Sequence, residues 1–349
     1  MVDREDPEEH ETPWRKILLS GGALLGAAAA YNAFARKGVD QLTNLIGGEE
    51  GGFEWRERRV AFTKRGSGPP ILLLHGIHAA AWSYEWRNNV DALARSNTVY
   101  TLDLLGFGLS ERPAIRYSAR LYISLISDFV SRVIDEPTVL VASSLSAAYA
   151  IVLAARDPHR FPAVCLIAPS GLVRLNEPVG IGGEAGRLAV DTPIAGTAMF
   201  NALVSRPSLR RYLKQVYSND SLVTKELVDI YYATSHQRGA RHAPAAFLSG
   251  HLNIDVRHAL RRLSQPALLV WGEQGSMAPV EEFRGFREIK RDFEISVLAP
   301  AGDLPHDERS EDFNVILSTW LNRLSLSSAR TLDTLPGTPE DLRPTQQLL

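Results

Sequence analysis

The stretch that decides the fold is residues 137–150, which read PTVLVASSLSAAYA. A short, uninterrupted aliphatic run of this kind is typical of a strand that is buried on both faces of a sheet. Small residues crowd in directly behind it, as a sharp turn requires, because bulky side chains would clash in a strained backbone. The alanine-rich run that follows has helical length. The stretch therefore predicts a strand, a tight turn and a helix.

The composition excludes several classes of function. The chain has 349 residues, 45% of them hydrophobic and 22% charged, which is ordinary for a globular protein. Its 38 basic and 40 acidic side chains give a net charge of −2, so no overall field favours nucleic acid. The nine histidines lack metal-ligand spacing, and no dinucleotide-binding glycine motif opens a helix. We therefore expect a small-molecule substrate, no cofactor and no metal.

Outward from residues 137–150, aliphatic runs alternate with stretches of helical length. Further runs of strand type are ILLLH, NTVYTLD, AVCLIAP, ALLVWGE and EISVLAP. This alternation predicts a mostly parallel sheet with helices on both faces. Between LIAPSGL and QPALLVWG, nearly a hundred residues carry helical patterns and no convincing strand, which indicates an inserted helical cap. The predicted organisation is an N-terminal segment (1–50), the first part of the core (51–170), the cap (171–265), the second part of the core (266–326) and a C-terminal tail (327–349).

The N-terminal segment combines an acidic start, predicted to be disordered, with an apolar run at residues 17–35. The run is just long enough to cross a bilayer, although Asn32 and its alanine and glycine content weaken it. Three interpretations stay open: a membrane anchor, an alanine-rich helix packed on the domain, and a cleaved signal. The expected location is accordingly at a membrane through this helix, or otherwise the cytoplasm. The oligomeric state is open.

Three motifs follow successive predicted strands. They are His75-Gly76, then Asp-x-x-Gly-x-Gly-x-Ser at residues 103–110, then Ala-x-Ser-x-Ser at residues 142–146. In this order they resemble the α/β-hydrolase superfamily over about residues 53–325. The resemblance implies a doubly wound, mostly parallel α/β sheet with an inserted cap. It also implies that the third motif is the nucleophile elbow, in which small neighbours select Ser144 as the nucleophile.

Further site residues come from the same resemblance. The oxyanion hole would be formed by the backbone N–H groups of Ile77 and Leu145. His78 and Ser143 are expected to line the pocket. The elbow itself departs from the usual Gly-x-Ser-x-Gly, since Ala142 and Ser146 replace the two glycines.

The triad partners of the family are missing. The family's acid is most often the last residue of a Trp-Gly-x-x-Asp loop, where this chain has Gly275. The family's histidine follows a glycine after the last strand, where this chain has Asp303. A serine hydroxyl is a poor nucleophile unless a base takes its proton, and that base needs an orienting acid. The sequence therefore predicts a non-standard site.

Three arrangements remain open. In the first, His306 is the base and Glu273, Asp303 or Asp307 orients it. In the second, the paired loss marks a reduced or non-hydrolytic site. In the third, Asp303 itself is the base, which requires burial to raise its pKa. The leading hypothesis is a cofactor-independent serine hydrolase acting on a small apolar ester or acyl substrate. The alternative is a catalytically silent ligand-binding protein.

Overall fold

A single eight-stranded sheet organises the chain. The computed structural model describes residues 13–177 and 179–333. The strands run in the order β1-β2-β4-β3-β5-β6-β7-β8, antiparallel among β1, β2 and β4 and parallel from β4 to β8. Their bounds are β1 Glu49–Trp55, β2 Arg58–Arg65, β3 Pro70–Leu74, β4 Thr98–Leu102, β5 Val139–Ser143, β6 Val164–Ile167, β7 Ala267–Gly272 and β8 Glu294–Leu298. The predicted doubly wound, mostly parallel sheet is confirmed.

Helices cover both faces of the sheet because its strands are apolar on both. In β3, Leu72 and Leu74 belong to the hydrophobic core on one face, whereas Ile71 and Leu73 belong to the core on the other. Side chains alternate in direction along a strand, so a continuous aliphatic run fills both layers. This explains why the parallel strands appear in the sequence as unbroken apolar runs.

Thirteen α-helices accompany the strands among the described residues. Before the cap they are α1 Pro13–Arg36, α2 Val90–Leu93, α3 Ala119–Phe129 and α4 Ser144–Arg156; between β6 and β7 they are α5 Ile181–Asp191, α6 Ala195–Leu203, α7 Arg206–Val216, α8 Lys225–Ser235, α9 His242–Leu248 and α10 Arg257–Arg262; afterwards they are α11 Phe283–Ile289, α12 Pro305–Glu308 and α13 Ser310–Asp333. Short 3-10 helices lie at Ser83–Trp86, Asp220–Leu222 and Val280–Glu282, and a π-helix at Val130–Ile134. The helices between β6 and β7 form the cap, which has its own apolar core.

The direction of winding reverses beside β3, and this places the site. From β3 the chain crosses to β4 on one side and then to β5 on the other. In an open α/β sheet, ligands bind beyond the carboxyl ends of the strands at such a reversal. The loops after β3 and β5 are those that carry the first and third sequence motifs.

The second motif, after β4, is a structural turn. Asp103 accepts hydrogen bonds from the backbone N–H groups of Ser83 and Leu109 at 2.7 Å each. Gly108 has φ +51°, and a Cβ there would lie 2.2 Å from the Asp103 carboxylate. Only glycine lets the loop close around that carboxylate. The motif thus anchors the loop after β3 to the loop after β4.

Both ends of the chain are helical where the structure describes them, as α1 and α13. Within the described residues, no helix is long and apolar enough to cross a membrane. Helix α1 instead packs on α6 of the cap: Asn32 donates to the Ile194 carbonyl at 3.0 Å and accepts from Asn201 at 2.9 Å. At the other end α13 continues to Asp333, seven residues into the predicted tail, because an established helix propagates easily. The predicted disorder of residues 1–12 and 334–349 lies outside the described residues.

Candidate active site

Ser144 occupies a strained turn between β5 and α4. Its φ is +53°, in the left-handed region that non-glycine residues rarely adopt. The flanking residues Ala142, Ser146 and Ala147 are fully buried, so larger side chains would not fit. No described residue forms a hydrogen bond with the Ser144 hydroxyl, which faces a cavity of about 220 Å³. The strand, sharp turn and helix predicted for residues 137–150 are present.

Ser146 explains the departure from the usual motif. Its hydroxyl donates to the His75 carbonyl at 2.6 Å, and both groups are buried. The hydroxyl therefore ties the elbow after β5 to the loop after β3. His75 is itself held on both sides, through Nδ1 to the Gly76 carbonyl at 2.6 Å and through Nε2 to the Leu104 N–H at 3.1 Å. These contacts fix the spacing between the two loops.

The two backbone N–H groups predicted to form an oxyanion hole belong to Ile77 and Leu145. Ile77 lines the same cavity as Ser144, and no described residue accepts its N–H. Leu145 is the second residue of α4, in the first helical turn, whose N–H groups have no intrahelical acceptor. Ser143 and His78, the predicted pocket residues, line the cavity as well.

His78 enters the cavity as an uncharged ring. Burial lowers its pKa to about 4, against the opposing charge of Glu85. The ring stacks on Tyr231 with a centroid distance of 5.5 Å, and Nδ1 accepts from the Ala80 N–H at 3.3 Å. With Nδ1 as acceptor, the proton of the neutral ring is on Nε2. His78 can therefore donate a hydrogen bond from Nε2, and the face of its ring forms part of the apolar lining of the cavity.

The loops after β7 and β8 are built differently from the family pattern. Asp303 lines the cavity, and its carboxylate accepts from the Met277 N–H at 3.0 Å and the Ala278 N–H at 2.7 Å. A Cβ on Gly275 would lie 3.0 Å from Asp303 Oδ1. The two departures are therefore coupled, because Asp303 fills the space that an acid at 275 would need. Burial raises the pKa of Asp303 even though these backbone hydrogen bonds lower it.

The structure does not bring His306 to Ser144. The ring is fully buried, 4.5 Å from the Trp86 ring, and Nε2 is 2.9 Å from Glu85 Oε1. The three acids predicted to orient His306 lie elsewhere. Glu273 is exposed, and Asp303 is bound to the backbone of the β7 loop.

Asp307, the third of these acids, serves the junction between the cap and the core. It forms an ion pair with Arg87 at 2.9 Å and accepts hydrogen bonds from Asn88 at 2.8 Å and from the Tyr217 hydroxyl. Its neighbour Glu308 accepts from the backbone of Ser218 at 3.1 Å. Asp307 and Glu308 therefore hold the cap on the core, and neither lines the cavity.

Glu85 is the residue that the sequence analysis missed. Its Oε2 accepts from the Gly76 N–H at 2.8 Å, and it lines the cavity. A methyl group built on Gly76 would lie 3.4 Å from Glu85 Oε2, 3.4 Å from Ser143 Oγ and 3.6 Å from Ser144 Cβ. Burial raises the pKa of Glu85, but the hydrogen bond and charge of His306 outweigh it and lower the pKa to about 2. The available signal was an acid amid Trp82, Tyr84 and Trp86.

The cavity therefore combines Ser144 in its strained turn with Ile77, two carboxylates and a neutral histidine. Among the described residues, no group of three histidine, cysteine, aspartate or glutamate side chains is arranged to hold a metal ion. This geometry, on a doubly wound sheet with a helical cap, defines an α/β-hydrolase-fold protein.

Comparison with known proteins gives the family. The profile of the alpha/beta hydrolase family matches residues 71–315, so the chain belongs to that family. It is 25% identical over 288 residues to 2-hydroxy-6-oxo-6-(2'-aminophenyl)hexa-2,4-dienoic acid hydrolase of Metapseudomonas resinovorans, covering 80% of this chain and 91% of the relative. It is 26% identical over 265 residues to 2-hydroxymuconate semialdehyde hydrolase of Pseudomonas sp. strain CF600, covering 73% and 88%. The resemblance inferred from the three motifs is confirmed.

Solved structures agree on the fold. A serine hydrolase involved in carbazole degradation superimposes with a TM-score of 0.66 at 23% identity, covering 78% of this chain and 98% of that one. The named relatives are hydrolases, which supports a hydrolase here.

Proposed function

We propose that this protein is a serine hydrolase in which Ser144 is the nucleophile and Asp303 is the general base. The observation that carries the proposal is the strained Ser144 turn, which opens into a cavity shared with Ile77 and Asp303. Asp303 follows the last strand, at the chain position of the family's histidine. Its raised pKa suits proton transfer better than an ordinary aspartate does.

The proposed reaction is acyl transfer to water. Ser144 Oγ attacks the substrate carbonyl while its proton passes to the Asp303 carboxylate, directly or through one water. The N–H groups of Ile77 and Leu145 stabilise the oxyanion. Collapse of the tetrahedral intermediate breaks the bond to the alcohol, which takes the proton from Asp303. Water then attacks the acyl-enzyme with Asp303 again as base, which releases the acid and restores Ser144.

The charges in the cavity favour a neutral substrate. Glu85 and Asp303 both line it, and the cationic Arg174 is paired with Glu282 at 2.8 Å. An anionic ligand would therefore lie close to two carboxylates. The relatives named above are hydrolases of an oxo-dienoic acid and of a semialdehyde. For this chain we propose a small, neutral, apolar ester or acyl compound.

A fluorophosphonate probe tests the nucleophile. We expect it to label the wild-type protein and the Ser143→Ala variant. Ser143 lines the same cavity, but it is not at the nucleophile position of the elbow. Ser144→Ala should not be labelled, and its hydrolysis of p-nitrophenyl acetate should fall to background. Absence of labelling of folded wild-type protein, or equal labelling of Ser144→Ala, would contradict the proposal.

One observation favours a second function, that of a silent ligand-binding protein. The ionised carboxylate of Glu85 is close to Ser144 and disfavours the negative charge that develops on an oxyanion. A ligand that copurifies with the protein, together with turnover that is unchanged in Ser144→Ala, would support this alternative over the hydrolase.

We also propose that α1 associates the protein with a membrane surface. Helix α1 has exposed apolar side chains, with Leu24 72% exposed and Phe34 75% exposed. Arg36 and Lys37 close the helix with positive charge, which anionic lipid attracts. We expect binding to phosphatidylglycerol vesicles that Leu24→Glu/Phe34→Glu abolishes and Val315→Glu, 67% exposed on α13, leaves intact. Equal vesicle binding by the two variants would refute this proposal.

A further inference from the structure

A second cavity adjoins the catalytic one inside the cap. It has a volume of about 410 Å³ and shares four lining residues with the cavity of Ser144: His78, Tyr212, Phe247 and Met277. The two cavities therefore meet at a wall formed by these four side chains.

The second cavity has an apolar lining. Ala79 and Ala80 come from the loop after β3, Val204 and Leu209 from the α6–α7 region, and Pro244 from α9. The histidine in the shared wall does not change this character, because burial lowers the pKa of His78 to about 4 and leaves the ring uncharged at neutral pH. A charged group among these apolar side chains would lose its hydration.

The cavity opens at the cap surface. Leu203 is 52% exposed, and Leu248 and Met277 are also exposed although all three line the cavity. The polar side chains among the lining, Ser208, Arg211 and Gln215, are all on α7, and the last two are exposed. A ligand that passes between the shared side chains would extend from Ser144, past His78 and Phe247, to a rim of exposed apolar side chains.

From this arrangement we infer that the substrate is a carbonyl compound with an extended apolar chain, which occupies the second cavity while its carbonyl group lies at Ser144. The inference rests on the proposed function for the position of the carbonyl, but the chain-binding site is independent of turnover. It extends the proposed small ester to an amphiphile whose tail reaches the cap surface.

Binding of unreactive alkan-2-ones, from 2-hexanone to 2-decanone, tests the site by calorimetry. Each methylene that enters the cavity should tighten the dissociation constant about fourfold, in wild type and in Ser144→Ala alike. Equal affinity for short and long ketones would overturn the inference, whatever the fluorophosphonate result. Length-dependent binding without fluorophosphonate labelling would instead support the chain site and refute the hydrolase.

Two variants test where the apolar chain of the ligand binds. Ala79→Trp fills the second cavity and should abolish the dependence on length. Because that variant can also disturb folding, Leu203→Glu adds a charge at the exposed rim and should weaken 2-decanone at least tenfold while sparing 2-hexanone. Its matched control is Met199→Glu, 48% exposed on the same helix and outside the lining. Equal effects of the two glutamate variants would contradict the proposed path.

Discussion

The cavity has two ends, one formed by the loops after β3 and β5 and the other by the loops after β7 and β8, and different features of the sequence determine them. At one end, the loops after β3 and β5 hold Ser144 in its strained turn in the same cavity as Ile77. At the other, the loops after β7 and β8 carry Gly275 and Asp303 where the sequence analysis expects the acid and the histidine of the family, and Asp303 is bound to the backbone of its neighbouring loop. The first end depends on backbone geometry and small side chains, which several sequences satisfy. The second depends on the identity of individual side chains.

The largest expected effect is on catalysis, from a change of Asp303 at the second end that should not lower stability. Asp303→Asn should lower kcat/KM by about 10²–10⁴-fold, because a general base contributes that much. Burial raises the pKa of Asp303, so its ionised form is disfavoured in the folded state at neutral pH. The variant should therefore melt at the same temperature as wild type or higher.

The pH profile checks the same assignment. In the wild type, kcat/KM should fall as the pH drops through the raised pKa of Asp303, since the protonated acid cannot accept the Ser144 proton. Unchanged turnover in Asp303→Asn would remove Asp303 from the mechanism and favour the silent alternative.

Glu85 joins the two ends, and its loss should be the largest effect on stability. Glu85→Ala leaves the His306 Nε2 and the Gly76 N–H without their partner in a buried site, which costs about 3 kcal/mol of unfolding free energy. Denaturant unfolding measures this. Asp91→Ala, which removes the exposed ion pair with Arg65, is the control and should cause no measurable change.

The pH dependence of the Glu85 contribution has a defined sign. Because the pKa of Glu85 is lowered from 4.5 to about 2, its stabilising contribution is fully present above about pH 4.5 and is lost as the pH falls towards 2. The difference in stability between wild type and Glu85→Ala should shrink over that interval. A difference that grows on acidification would contradict the pairing of Glu85 with His306.

Restoring the family residues should show that the two losses are coupled. Gly275→Asp alone places a side chain 3.0 Å from Asp303 Oδ1 and 2.7 Å from the Ala278 carbonyl, so it should lower stability. Gly275→Asp combined with Asp303→His removes the first conflict and supplies an acid and an imidazole. Esterase turnover of the double variant should exceed the product of the single effects about tenfold, within the coupling range of contacting residues. Additive effects would show that the substitutions are independent.

The smallest expected effect concerns the first end. Ser146→Ala removes the hydrogen bond to the His75 carbonyl and should lower the unfolding free energy by about 1 kcal/mol. Ser143→Ala, whose hydroxyl has no partner among the described residues, should change it less. If both variants match wild type, the tie between the two loops does not contribute to stability.

The sequence was most informative where local pattern and backbone geometry agree. The aliphatic runs and the small residues around Ser144 predicted the sheet, the elbow and the cap, because burial on two faces and a sharp turn each restrict residue type directly. The sequence left the role of His306 open, since many side chains after the last strand are at comparable chain distance from Ser144. Glu85 was not found, because its only local signal, an acid in an aromatic stretch, does not indicate which distant residue it contacts.

By itself, the sequence determined the class of fold and the position of Ser144 at the turn after β5, and it predicted a non-standard triad, since each follows from residue type at a position fixed by strand order. Only the tertiary structure decided where the polar side chains are directed. It placed His306 on Glu85, Asp303 on the β7 loop and a second cavity beside the first. Buried charged groups find partners wherever the fold brings them together, and those contacts join residues more than two hundred positions apart in the case of Glu85 and His306.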